Sequence, residues 1–182
     1  TTVGGGFATA INLLKNKDEY DIDLLLLPGI IDQNGAGSIA IIKDAIQMCE
    51  DRGDCFLVYD PSWKTDSVAT VKTAVEARNS SFAAAYYPWV QIVDTSTDSP
   101  VWVPPSAVLP GVYSFNDSVA HEWFAPAGLT RGGLTDVLQA KTRLTHAERD
   151  DLYEARINPI ASFPNQNVVV FGQKTLQSKP SA

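Results

Sequence analysis

The stretch of this chain best spaced for chemistry is Gly35-Ala36-Gly37-Ser38-Ile39-Ala40. It matches G-x-G-x-x-A, lies between a predicted strand and a predicted helix, and has Asp60 at the end of the next strand. Together these outline a dinucleotide-binding turn. The spacing argues against that chemistry. In such a turn the first glycine comes directly off the strand, whereas here Pro28-Gly29-Ile30-Ile31-Asp32-Gln33-Asn34 intervenes. A pyrophosphate would not meet the strand end and the helix N-terminus together, so the segment reads as a loop and a helix start. His121, beside Glu122 and Trp123, could act as a base. Yet no serine sits in G-x-S-x-G, and neither Cys49 nor Cys55 has a recognisable partner. A structural histidine is the expectation. His146 falls in the first turn of a predicted helix, where a protonated imidazole would oppose the helix dipole, so it is expected at the surface.

Cys49 and Cys55 have Gly53 between them and match no zinc or redox spacing; two buried thiols are expected. No paired His, Cys, Asp or Glu residues stand at metal-ligand spacing, and no phosphate-binding loop is present. Asn79-Ser80-Ser81 and Asn116-Asp117-Ser118 fit the glycosylation triplet by pattern alone. Tyr86-Tyr87-Pro88-Trp89 could be a stacking platform for a sugar or a base. Because it continues directly from the apolar Phe82 to Ala85, the expectation is that its rings plug the end of a buried strand. Tyr86, Trp89 and Trp123 are all expected to be buried. No catalytic, cofactor or metal site is expected.

The elements that would position these residues follow from hydrophobic periodicity. Phe7 to Lys15 reads as a short helix and Ile22 to Leu27 as a buried strand closed by Pro28-Gly29. A helix from Gly37-Ser38 to about Arg52 places Ile42, Ala45, Ile46 and Cys49 on one face, with Lys43, Gln47, Glu50 and Asp51 toward water, and Gly53 stops it. Cys55 to Tyr59 is a second buried strand. Asp66 is expected to cap the next helix, whose stripe is Val68, Val71, Ala74 and Val75, and Phe82 to Tyr86 is a third strand. Alternation of strand and helix predicts an α/β fold with a mainly parallel or mixed sheet flanked by helices.

The second half reads differently. Trp89 to Val93 and Val101 to Val103 flank a polar loop and predict a β-hairpin excursion. Pro104-Pro105-Ser106 can start a helix, while Pro110 and Gly111 argue against a regular one. Thr130 to Gly133 reads as a loop. Thr145-His146-Ala147-Glu148 is a capping box that predicts a helix to about Arg156, and Val168 to Phe171 is a last strand.

Composition narrows the function classes. With 182 residues, 45% hydrophobic and 19% charged, the chain fits one large domain with its own core. Its 21 acidic and 14 basic residues give a net charge of -7 and no basic run, which disfavours nucleic acid as a partner. No apolar run, Leu24 to Leu27 included, is long enough to span a bilayer, and no membrane contact is expected. The apolar residues are expected to be used up by the helix stripes and strands, leaving no contiguous surface patch.

Taken in order, several segments resemble the tail sheath proteins of contractile phage tails and related injection systems. They are the strand ending in Pro28-Gly29; Val58-Tyr59-Asp60-Pro61; Ala84-Ala85-Tyr86-Tyr87-Pro88-Trp89; Pro104-Pro105-Ser106; and Gly111-Val112-Tyr113. Asp117, Trp123 with Ala125-Pro126-Ala127-Gly128, Ile157-Asn158-Pro159-Ile160, and Val170-Phe171-Gly172-Gln173-Lys174-Thr175-Leu176 follow. Phe171 and Lys174 stand where the family more often carries Trp and Arg.

The resemblance implies a structural subunit, not an enzyme. It implies a single α/β sheath-type domain over residues 1–182, a fragment of a longer chain whose C-terminal sheath domain is absent. Copies would polymerise as stacked hexameric rings around the tail tube and contract to drive it through the host envelope. The implied partners are other copies of the sheath protein, the tail tube protein and the baseplate, the last two mostly through regions missing here. The implied location is the virion, after assembly in the bacterial host cytoplasm. Two other readings stay open on residues alone: an α/β enzyme using the Gly35/Gly37 turn or His121, and a carbohydrate-binding module built on exposed aromatics.

Overall fold

A computed structural model describes residues 3–32, 35–121, 123–164 and 167–179. The elements run in the order α1 (Val3–Leu14), β1 (Leu24–Ile31), α2 (Ala36–Arg52), β2 (Phe56–Asp60), α3 (Val68–Glu76), β3 (Ala83–Tyr87), β4 (Val90–Asp94) and β5 (Ser99–Val103). After a 3-10 turn at Pro105–Ala107 come α4 (Leu109–Val119), α5 (Gly128–Arg131), β6 (Val137–Ala140), α6 (His146–Glu154), β7 (Ile157–Ser162) and β8 (Val168–Val170). The main sheet has the order β1-β2-β3-β7-β8, with the first four strands parallel and β8 antiparallel to β7. A separate antiparallel sheet has the order β5-β4-β6. This is the α/β fold that the periodicity predicts.

The alternation of side chains along each strand divides the interior in two. On one face Leu25, Leu27, Leu57, Tyr59, Ala83, Ala85, Tyr87 and Ile157 meet Ile11 of α1, the Ile42 to Cys49 stripe of α2, Val71 and Val75 of α3, and Leu152 of α6. On the other, Val58, Ala84, Tyr86, Ile160, Val168 and Val170 meet Leu109 and Val112 of α4, Leu134 and Val90. The small side chains of Ala83, Ala84 and Ala85 let layers approach β3 from both sides, and all five residues of that strand are buried. The helix stops are local. Gly53 adopts φ 72 and donates its N–H to the Cys49 carbonyl at 2.9 Å, ending α2 in a left-handed cap. The Thr145–Glu148 capping box forms in full at the start of α6.

Several expectations change. Pro28-Gly29 does not close β1: the strand passes through it, slipping register between Leu26 and Ile31 and regaining pairing at Ile31 with Asp60. A β1 edge position tolerates this, because the proline's missing N–H costs no ladder bond there. Ser67 caps α3, accepting from Thr70, while the Asp66 carboxylate accepts the Trp63 N–H at 2.6 Å. The proline in the first turn of α4 leaves a regular helix of 11 residues, since the missing donor would have been unpaired. A one-turn helix, α5, occupies part of the predicted Thr130–Gly133 loop. The hairpin gains a third strand, β6, and β7 forms across Pro159. The patterns of these two strands are too short, or too interrupted by proline, to read alone.

Candidate functional site

The dinucleotide reading fails on topology. Ligand sites in open α/β sheets form where neighbouring parallel strands connect in opposite directions. Here β1, β2, β3 and β7 succeed one another across the sheet and α1, α2, α3 and α6 pack on one face, so the strand order never reverses. Gly35 sits at the N-cap of α2 with φ 85 and no side-chain cap. Gln33 and Asn34 lie outside the described residues. Asp60, the candidate ribose acid, points inward instead. It is fully buried and accepts from the Ser106 N–H at 3.0 Å and the Ser106 hydroxyl at 2.6 Å. Burial pushes its carboxyl up to about 6, against the lowering effect of those two bonds. Beside it, Arg78 makes a two-pronged ion pair with Asp32, both groups buried, and Arg156 donates to the Arg78 carbonyl at 2.8 Å. The Tyr59 hydroxyl is buried nearby with no hydrogen-bond partner among the described residues, and burial raises its pKa.

The sequence segments singled out above meet one another in pairs. Asp60 of Val58-Tyr59-Asp60-Pro61 holds Ser106 of Pro104-Pro105-Ser106. The Tyr86 and Tyr113 hydroxyls lie 2.7 Å apart, and burial pushes Tyr113 up to about 12. Asn158 is buried, donates to the Lys174 carbonyl at 2.8 Å and accepts the Lys174 N–H at 2.7 Å. A Cβ on Gly172 would come within 2.8 Å of Asn158 Oδ1 and Pro159 Cδ, so only glycine permits that approach. Trp89 is buried, donates from Nε1 to the Ser62 carbonyl at 2.8 Å and stacks on Trp63 with centroids 6.2 Å apart. These residues are couplers between distant segments, and their chemistry is spent inside the fold.

The remaining singled-out residues disperse. Cys49 and Cys55 are free and buried, and burial raises the Cys49 thiol. The His146 side chain is 83% exposed, 3.5 Å from Asp150. Asn116 is buried and donates to the Phe124 carbonyl at 3.0 Å, which removes it as a glycosylation acceptor, whereas Asn79 is exposed. Among the described residues no group of three His, Cys, Asp or Glu side chains is placed to hold a metal, and no helix is long and apolar enough to cross a membrane.

One surface stands out. An open groove of about 1250 Å³ lies along the N-terminal ends of β1 and β2, where Asp23, Leu24, Phe56 and Tyr86 meet Trp123, Phe124 and Gln173. Trp123 is 77% exposed, which corrects the expectation that it is buried. Its indole stacks on His121 with centroids 4.2 Å apart and 13° between planes; Glu122 lies outside the described residues. The Arg131 guanidinium lies over Phe124 at 4.9 Å, and its Nε is buried with no hydrogen-bond partner among the described residues. Phe115, Val119 and Leu129 are also exposed, so the apolar residues are not all used up inside. The sequence hides this, because an aromatic residue in a turn between helices looks the same whether it folds inward or outward.

Comparison with known proteins places this arrangement. Residues 6–176 match the family model described as the phage tail sheath protein central domain. The chain is 24% identical over 194 residues to the tail sheath protein of Enterobacteria phage T4, which covers 97% of this chain and 29% of that protein. It superimposes on a chain of the anti-feeding prophage helical sheath in its contracted state with TM-score 0.67 and 29% identity, covering 98% of this chain and 45% of that one. A chain of the anti-feeding prophage baseplate superimposes with TM-score 0.69 and 27% identity, covering 98% and 44%. The chain therefore spans less than a third of the T4 protein and under half of the two solved chains.

Proposed function

The chain belongs to the phage tail sheath family, as its central domain, and from that premise we propose that it is the central part of a longer sheath polypeptide. That polypeptide polymerises around the tail tube of a phage or related injection system and shortens to drive the tube through a host envelope. The observation that carries this reading is the match of residues 6–176 to one domain of a structural protein. The internal use of Asp60, Asn158 and Tyr86 supports it: a body that moves as a unit within an assembly needs segments tied to each other more than it needs a reacting group. The partners are other copies of the polypeptide, the tube and the baseplate. The working location is the particle, after assembly in the bacterial cytoplasm.

Antibodies raised against the 182-residue chain test the reading by electron microscopy of intact and contracted particles. Label is expected along the whole tail shaft, with a spacing that shortens on contraction. Label confined to the capsid, the tail tip or the host cell, or absent from the particle, overturns the proposal.

A further inference from the structure

The exposed groove is bordered by the stretch of chain that leaves the sheet. Gln173, Lys174 and Thr175 line it together with Trp123 and Phe124. The Leu176 N–H donates to the Ala83 carbonyl at 2.9 Å and the Ser178 N–H to Asn79 Oδ1 at 2.8 Å, which ties that stretch to the N-terminal edge of the main sheet. The related sheath chains are more than twice as long as the region they share with this one. Resting on the reading of this chain as part of a longer sheath polypeptide, we propose that the groove is the docking site for the domain that follows Leu176 in the same polypeptide, with Trp123 and Arg131 as its anchors.

The chemistry of the groove fits a folded partner. His121 covers one face of the Trp123 indole, and 77% exposure requires the other face to be open. A tryptophan carries 150–250 Å² of surface that is stabilised by burial (about that range for aromatic side chains). The Arg131 guanidinium lies over Phe124 along the same groove, a fixed cation for an acceptor on the partner. Trp and Arg are the side chains that most often anchor interfaces. The lining mixes these groups with Asp23, Asp117 and Gln173, the polar character of contacts between domains of one chain. Tethering decides between occupants. A segment that continues the same chain beside the groove is held near it, and short flexible linkers give effective concentrations on the order of millimolar. A neighbouring copy or a free sugar has no such advantage before assembly.

The test compares oxidation of Trp123 by N-bromosuccinimide in three forms: the 182-residue chain, the complete sheath polypeptide as a monomer, and the assembled sheath. The mass of the polypeptide from purified tails is measured first. A mass matching 182 residues overturns the reading of a longer chain, and this inference with it. Given a longer chain, Trp123 is expected to react in the short form and to be protected already in the complete monomer. Equal reactivity in both overturns the docking site alone. Protection that appears only on polymerisation assigns the groove to a neighbouring copy, and protection of the short chain by chitotetraose assigns it to a sugar; either overturns the proposal. As an independent readout, Trp123→Ala is expected to leave the melting curve of the 182-residue chain in place. In the complete monomer it should speed proteolytic cleavage after Leu176 on the order of tenfold or more, the loss typical of an interface anchor. No change in cleavage overturns it.

Discussion

The two edges of the main sheet carry similar residue types and use them in opposite ways. At the C-terminal ends of the parallel strands, Asp32, Asp60, Ser106 and Trp89 are all buried and all bonded within the chain, Asp32 to the Arg78 side chain. At the N-terminal ends, Trp123, Phe124 and Arg131 line an open groove, and the Arg131 Nε has no hydrogen-bond partner among the described residues. In α/β ligand-binding proteins the C-terminal edge is where a crevice opens. Here that edge is sealed by the Pro105–Ala107 turn and the Asp32–Arg78 pair. For the tryptophan and arginine side chains, what distinguishes the edges is therefore whether each has found its partner inside the chain, not which groups are present.

Four substitutions or conditions test that contrast. Trp89→Ala, at the sealed edge, removes a buried ring and leaves the Ser62 carbonyl unpaired; a loss of ~3–5 kcal/mol is expected in urea unfolding. An unchanged midpoint would mean that the sealed edge does not need its aromatic plug. The next effect is pH-dependent. The Asp60 carboxyl sits at about 6 in the folded chain, above its usual value of 3.8, so the folded state binds its proton more tightly than the unfolded state does. Its contribution to stability is fully present below about pH 4 and is lost as pH rises through 6. The difference is at most ~3 kcal/mol, from two units at 1.36 each. Asp60→Asn should flatten stability between pH 4 and 7 relative to the parent, and an identical pH slope in both proteins would remove Asp60 as the cause.

A smaller loss is expected from Thr145→Ala, which breaks the capping box at the start of α6. About 1 kcal/mol is the usual value for an N-cap, and thermal unfolding measures it. The smallest effect belongs to the open edge: Trp123→Ala should change the stability of the 182-residue chain by no more than ~0.5 kcal/mol. A loss comparable to that at Trp89 would show the groove to be core and dissolve the contrast between the edges.

Much of this protein was legible in residue order because it depends on local periodicity. Ile42, Ala45, Ile46 and Cys49 recur at helical spacing and all face the sheet. The apolar runs at β2 and β3 mark strands buried on both faces, and the Thr145–Glu148 pattern is self-contained, so its cap needs only four consecutive residues. The ordered segments from Leu24 to Leu176 were enough to suggest the sheath family, which the match over 6–176 bears out. Residue order left undecided whatever depends on a distant partner. Asp66 and Ser67 are both good caps, and the Trp63 N–H drew Asp66 away. Pro28-Gly29 stops most strands but not one at an edge. Asp60 could have faced a ligand, and Ser106, 46 residues away, turned it inward. Trp89 and Trp123 are the same side chain, each beside a proline-containing turn. Only the tertiary structure sends one under Ser62 and leaves the other in water, because burial is settled by which surfaces pack together, and a single residue type carries no record of that.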